Sequence, residues 1–223
     1  GIFDIIAGEA DMNAVIFAGA EIKSYDFCKD YIHQQDIIIC CDGGMRHTRA
    51  LGIMPNYILG DFDSCKKEDL QYYQKKGIAI KTFPTKKDET DMELALDFAI
   101  ELGAEDIVLF GGIGSRFDHT LANAHLLLRL VKKGIRGRLV DEKNCVELID
   151  SAITLYGKRG DLVSTIPLSM EVTGITLKGF AYPLTDHTLT VDDEIVAVSN
   201  VMLEEKCEIS IKSGYLFVIR SQD

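Results

Sequence analysis

Apolar residues recur along the first two thirds of the chain in short, uninterrupted runs: NAVIFAG (13–19), DIIICCD (36–42), NYILG (56–60), IAIKTF (78–83), DIVLFGG (106–112) and GRLVD (137–141). Runs of that length without polar alternation suit strands buried on both faces. Helix-like segments lie between them. Over 89–103, Met92, Ala95, Leu96, Ala99 and Leu102 fall on one face at i, i+3, i+4, i+7 spacing, and 117–131 is apolar through Leu121, Leu128 and Val131. Buried strands alternating with helices predict a Rossmann-like, mostly parallel sheet covered on both sides.

After about residue 145 the pattern changes. VELID, GDLVSTIPL, GITLKGFAY, EIVAVSNVM, CEISIKSG and YLFVIRS are short and punctuated by Gly, Pro and Asp, with no helical period. They predict an antiparallel β-sandwich. The expected organisation is an α/β domain over 1–145 followed by a sandwich domain over 146–223.

Composition narrows the possibilities. With 223 residues, 47% hydrophobic and 26% charged, the chain can bury a full core and has the make-up of a globular protein. No apolar run approaches the ~20 residues that span a bilayer, and GIFDIIAGEADMN has acids where a signal peptide carries basic residues. A cytoplasmic protein away from membranes is expected. A formal charge of −11 leaves no basic stripe to neutralise phosphates, so nucleic acid is not an expected partner. A small cation suits that charge, whereas an anion needs a metal ion or local basic groups. Cys28, Cys40, Cys41, Cys65, Cys145 and Cys207 form no C-x-x-C pair and read as reduced thiols. Cys40 and Cys41, adjacent on a strand, should point to opposite faces.

The chemistry-bearing residues gather where predicted strands end, the edge at which parallel α/β sheets bind ligands. CDGG follows the second strand, GDFDS the third, KKDETD the fourth and GGIGSRFDH the fifth. Four strands thus deliver Asp42, Asp61, Asp63, Asp88, Asp91, Arg116 and Asp118 to one edge. If the third strand stays extended through Asp61 and Asp63, both carboxylates face one hard cation such as Mg²⁺. The alternative is a pair of solvated turn acids, with Ser64 capping a helix that begins near Lys66. Asp88 as an N-cap and Asp91 as a first-turn acid is a similarly local reading of KKDETD.

FGGIGSRFDH reads as a strand, a glycine-rich turn and a helix start, from which backbone N–H groups can hold phosphate. It is no dinucleotide fingerprint, because Phe117 stands where the third glycine belongs, and it lacks the G-K-[ST] of a P-loop. Arg116 could pair phosphate bidentately, with Asp118 and His119 fixing it, or Arg116 and Asp118 could form a plain surface pair. His47, His125 and His187 have no companions suggesting ligation.

CDGG, GDFDS, DETDMELAL and GGIGSRFDHTLAN, in this order, with a β-rich tail containing TGITLKG and VSN, resemble the thiamine pyrophosphokinase family over nearly the whole chain. The resemblance implies an α/β catalytic domain, a β-sandwich, a homodimer, and Mg²⁺-dependent transfer of pyrophosphate from ATP to thiamine. By motif matching, Asp61, Asp63 and Asp91 become metal ligands. Asp42, Thr90, Arg116, Asp118 and His119 become nucleotide or active-site contacts, together with Gly43, Gly44, Asp88, Gly112 and Ser115 of the same motifs. Ser199 and Asn200 fall where the sandwich approaches thiamine. Some members of the family stack the aminopyrimidine on a tryptophan, and this chain has none. Tyr215 in KSGYLFVI is the expected replacement.

The implied reaction is in-line attack of thiamine's hydroxyethyl oxygen on the β-phosphorus of ATP, giving thiamine diphosphate and AMP. Metal and arginine stabilise the moving charge, and Asp91 or Asp118 could accept the proton. Three other readings remain on sequence: a Mg²⁺-dependent phosphatase with Asp61 of the D-x-D as nucleophile, a D-x-D glycosyltransferase, and a thiamine or nucleotide sensor without catalysis.

Overall fold

The computed structural model describes residues 12–62, 65–82, 90–193 and 197–223. The first part contains β1 (Asn13–Phe17), β2 (Ile37–Cys41), β3 (Tyr57–Gly60), β4 (Ala79–Thr82), β5 (Asp106–Phe110) and β6 (Arg136–Val140). Its helices are α1 (Met45–Leu51), α2 (Lys67–Lys75), α3 (Asp91–Glu101) and α4 (Phe117–Lys132). The strands pair in parallel in the order β6-β5-β1-β2-β3-β4.

Each strand divides its side chains between two cores. Ala14, Ile16, Ile39, Cys41, Ile107 and Leu109 face the layer built by α3 and α4, with Leu96 and Leu127. Val15, Phe17, Ile38, Cys40, Val108 and Phe110 face the opposite layer, with Met45 of α1 and Tyr73 of α2. The period of two in strands makes this division, and it sends Cys40 and Cys41 to opposite faces as expected. All six cysteines are free thiols.

The remaining strands are β7 (Asn144–Ile149), β8 (Ala152–Tyr156), β9 (Leu162–Pro167), β10 (Glu171–Lys178), β11 (Leu184–Thr190), β12 (Asn200–Val201), β13 (Lys206–Ser210) and β14 (Leu216–Ser221). β8 and β11 were not anticipated from the hydrophobic pattern. β7 turns back antiparallel on β6, through a turn in which Asp141 Oδ1 accepts the N–H groups of Lys143 and Asn144. β14, β9 and β12 then extend the same sheet to ten strands, in the order β12-β9-β14-β7-β6-β5-β1-β2-β3-β4. A second sheet, β11-β10-β13-β8, packs on that extension around Ile149, Val163, Val172, Ile175, Ile209, Leu216 and Val218.

The sandwich therefore shares one of its sheets with the α/β part. β14 shows the join, since Leu216 and Val218 enter the sandwich core while Phe217 enters the core beneath α3 and α4. The chain thus combines an N-terminal α/β layer system with a C-terminal antiparallel β unit. Among the described residues no helix is long and apolar enough to cross a membrane.

Candidate functional site

At the C-terminal edge of the parallel strands, three carboxylates come together. Asp42 follows β2 and opens a short 3-10 turn, Asp42–Gly44, that runs into α1. Asp61 follows β3, and Asp91 is the first residue of α3. Asp42 is 2% exposed. Its Oδ2 accepts the backbone N–H of Phe62 at 3.0 Å, while Oδ1 is buried and meets no donor. Burial, a hydrogen bond shared with Asp61 and the charge of Asp91 push the Asp42 pKa up to about 7. Asp91, at the rim, is held above the usual carboxylate range by lost solvation and then by Asp61. A bare set of carboxylates that resists joint ionisation is the environment that a cation relieves.

The backbone here departs from the extended strand expected through Asp61 and Asp63. β3 stops at Gly60, which has φ of 148°, and Phe62 has φ of 66°. The chain turns at Phe62, so the alternation argument for that pair does not apply. The turn instead aims the Phe62 N–H at Asp42. Asp63, Ser64 and Asp88 lie outside the described residues. Among the described residues no three side chains form a ready-made metal cage.

Thr90, rather than Asp88, is the N-cap of α3, its side chain accepting the Glu93 N–H at 3.2 Å. That cap sets the start of the helix and with it the position of Asp91. Gly43 and Gly44 lie in the turn behind Asp42, with Gly44 buried.

β1 and β5 are neighbours from which the chain leaves in opposite directions, the switch point at which doubly wound sheets take ligands. The glycine-rich loop follows β5 there. Gly111 has φ of 72°, and a β-carbon on it would lie 2.0 Å from the carbonyl oxygen of Ala18, so only glycine fits. α4 locks the loop from its first turns. Asn123 Nδ2 donates to the Gly112 carbonyl at 2.8 Å, and Thr120 Oγ1 accepts the Gly114 N–H at 3.1 Å. Neither residue stood out in the sequence, although both lie in the HTLAN that follows the motif.

Ser115, Arg116, Asp118 and His119 are exposed at the mouth of this loop. Arg116 donates to both oxygens of Asp118, at 3.2 and 2.6 Å. The pairing holds Asp118 below the usual carboxylate range. The arginine fork is thereby oriented yet open to solvent.

The sandwich residues lie elsewhere. Asn200 is 4% exposed, and both the oxygen and the nitrogen of its carboxamide are hydrogen-bonded. Oδ1 accepts the Tyr182 and Val201 N–H groups at 3.0 and 2.9 Å, and Nδ2 donates to the Tyr182 carbonyl at 2.8 Å. Asn200 thus clamps the backbone of Tyr182, whose side chain stands 65% exposed. Ser199 is exposed, with φ of 58°, and its N–H donates to Ser164 Oγ at 2.9 Å. Tyr215 is half-buried against the helix-side core, level with Leu168. Asn200 pairs with Val163 at the other end of β9, roughly 16 Å away at about 3.3 Å per residue. Tyr182 was missed because it closes the segment GITLKGFAY, which read as one strand, whereas β10 stops at Lys178 and leaves Tyr182 in the turn beyond it. Its signal there was an aromatic residue beside a proline in a turn, flanked by polar strand ends.

Comparisons with known proteins identify the family and the fold. A family model described as thiamin pyrophosphokinase, catalytic domain, matches residues 28–139, and one described as thiamin pyrophosphokinase, vitamin B1 binding domain, matches 151–216. Thiamine pyrophosphokinase of Bacillus subtilis (strain 168) is 33% identical over 195 residues, which cover 86% of this chain and 91% of that protein. The crystal structure of thiamine pyrophosphokinase from Bacillus subtilis superposes with a TM-score of 0.87 at 30% identity, covering 95% of this chain and 99% of the other. The corresponding figures for the thiamin pyrophosphokinase of Geobacillus thermodenitrificans are 0.84, 30%, 95% and 98%. None of these relatives supports the phosphatase, glycosyltransferase or sensor readings. The chain belongs to the thiamin pyrophosphokinase family.

Proposed function

We propose that this chain transfers the pyrophosphoryl group of ATP to the hydroxyl of thiamine, giving thiamine diphosphate and AMP. The observation that carries this reading is the convergence of Asp42, Asp61 and Asp91 beside the glycine loop of the switch point. The buried Asp42 Oδ1 without a donor, and the Asp42 and Asp91 carboxyls raised by burial and then by neighbouring acids, fit a divalent cation with hard oxygen ligands. Asp61 and Asp91, with Asp63 from outside the described residues, would hold Mg²⁺, and Asp42 would stand behind them. When bound, Mg²⁺ neutralises phosphate charge and orients the reacting groups.

The other groups have separate tasks. Backbone N–H groups of the loop through Gly112 and Ser115 would hold phosphate oxygens, and Arg116 would offer its fork to the charge that builds on the transferred group. Gly43 and Gly44 let the backbone behind Asp42 pack closely, while Thr90 and His119, with Asp88 from outside the described residues, would serve the nucleotide side. Of the two candidate proton acceptors, Asp118 is held low by Arg116, and Asp91 would lose basicity as a ligand of Mg²⁺, so neither is a strong base. In a loose transition state little base strength is required.

Tyr182 rather than Tyr215 is the aromatic surface for the aminopyrimidine. It is exposed and its backbone is clamped, whereas Tyr215 is half-buried at the far end of β9. Ser199 lies beside it, and Asn200 acts by holding Tyr182. Thiamine is a cation, and the −11 chain attracts it.

Sheet order supports a homodimer with shared sites. Eight interstrand steps separate β12 from β3 in one chain, and five separate it from β5. At about 4.8 Å per step these are roughly 38 and 24 Å along the sheet, beyond the reach of one small molecule. The sandwich end of a partner chain would complete each site. A cytoplasmic location accords with reduced thiols and with ATP as substrate.

Incubating the protein with MgATP and thiamine and separating the nucleotides tests the reading. AMP and thiamine diphosphate should appear in equal amounts and only with a divalent cation. ADP, or inorganic phosphate without AMP, would overturn it.

A further inference from the structure

Residues 18–25, between β1 and the 3-10 turn at Asp26–Asp30, are fastened by side chains from two other parts of the fold. Arg46 of α1 donates to the Gly19 carbonyl. Glu142, beyond β6, accepts the N–H groups of Lys23 and Ser24. His47 of α1, 1% exposed, makes the most specific attachment. Its Nε2 lies 2.8 Å from the Ala20 carbonyl oxygen, and its Nδ1 lies 2.7 Å from the Tyr25 hydroxyl.

A carbonyl can only accept, so Nε2 carries the proton and Nδ1 accepts from Tyr25. Burial lowers the pKa of the ring, in keeping with the neutral form that this tautomer requires. Ala20 is held from its other side by the glycine loop. Its N–H donates to the Gly111 carbonyl at 2.8 Å, and a β-carbon on Gly114 would lie 3.1 Å from the Ala20 β-carbon. The loop after β5 therefore rests on a residue whose carbonyl is aimed by a histidine.

We infer that His47 is a positioning residue for the nucleotide, passing the Tyr25 hydroxyl bond on to Ala20 and so fixing the backbone of 111–115. The inference rests on the reading that this loop holds phosphate. His47 itself touches no substrate. Its contribution is the preorganisation of N–H groups that would otherwise have to be ordered by the ligand.

Two substitutions separate the two bonds. A glutamine side chain reaches as far as Nε2 and can donate to Ala20. Asparagine reaches only as far as Nδ1 and can accept from Tyr25 alone. With the Ala20 bond lost, His47→Asn should raise KM for MgATP about tenfold, while His47→Gln, which loses only the Tyr25 bond, should raise it by about twofold to threefold. In both, KM for thiamine and kcat at saturating ATP should move little. A role confined to packing would lower the melting temperature and the active fraction of both variants and leave KM for MgATP unmoved, which would overturn the inference. Equal rises in the two variants would overturn it as well.

If His47→Asn fails to fold, Tyr25→Phe removes only the hydroxyl and should raise KM for MgATP by about twofold to threefold, the effect of one weakened bond. No rise in that variant would count against the relay. Should wild type form no AMP at all, the proposed function fails by itself. Calorimetric titration of ATP into wild type and His47→Asn then still decides the inference, a loss of affinity supporting it and equal affinity refuting it.

Discussion

Gly60 faces the Asp42 carboxylate so closely that a β-carbon at position 60 would lie 1.8 Å from Oδ1, and its φ of 148° is one that side-chain-bearing residues rarely adopt. The last residue of β3 is therefore shaped around an acid at the end of β2. Gly60→Ala should cost on the order of 1–3 kcal/mol of stability and should also displace Asp42. Because the displaced carboxylate belongs to the acid cluster, turnover per folded molecule should fall much further than urea-melt stability. An active Gly60→Ala protein with an unchanged Mg²⁺ requirement would show that Asp42 is dispensable.

The raised pKa of Asp42 gives stability a pH dependence of definite sign. Its folded value is about 7, against about 3.9 for an exposed aspartate. The folded chain keeps a proton that the unfolded chain has released between those values. The Asp42 contribution to metal-free stability is thus full below about pH 4 and is lost as pH rises through 7. In EDTA the melting temperature of wild type should fall from pH 5 to pH 8 relative to Asp42→Asn, whose amide does not titrate. Mg²⁺ at pH 8 should restore wild type more than the variant. Parallel curves in the two proteins would contradict the coupling.

Much of this was legible in the sequence, and the losses have physical causes. Uninterrupted apolar runs located β1, β2, β3 and β5 because a strand covered on both faces has few polar positions to blur it, while the exposed edge strand β4 was marked by its short run alone. β11, reading LTDHTLT, is an exposed edge with only Leu189 fully buried, so little hydrophobic signal marks it. The ordered acids and glycines pointed to the strand ends at which Asp42, Asp61 and Asp91 come together. Nothing local, however, reveals that Phe62 turns with φ of 66° or that Asp42 sits behind Asp61, since both depend on strands brought together by β2–β3 pairing. Asn200 read as a thiamine-side residue from the VSN motif of the family resemblance. Its burial against Tyr182 is a tertiary fact.

Arg116 pairs with Asp118 bidentately at the surface. An ammonium would keep the charge and lose the planar fork. Arg116→Lys should therefore lower kcat/KM by about 10²-fold with stability unchanged, because an exposed pair contributes little to folding. Near-normal steady-state kinetics would reduce Arg116 to a surface ion pair.

The span between Asp61 and Tyr182 carries the last prediction. In one chain Asp61 follows β3 and Tyr182 is held by Asn200 of β12, strands eight interstrand steps apart in the ten-stranded sheet. If phosphate chemistry comes from one subunit and the thiamine wall from its partner, two inactive variants should rescue each other. Asp61→Asn removes a metal-ligand charge, and Tyr182→Ala removes the aromatic surface. Each should be inactive or nearly so while remaining folded. After mixing under conditions that let subunits exchange, a heterodimer has one doubly damaged site and one intact site. Random exchange makes about half the dimers mixed, so roughly a quarter of all sites should recover by this two-fold symmetry. Exchange can be followed independently by mass spectrometry of differently tagged chains. If mixed dimers form and activity stays at the level of the separate variants, each site lies within one chain and the sheet must bend far enough to bring its two ends together.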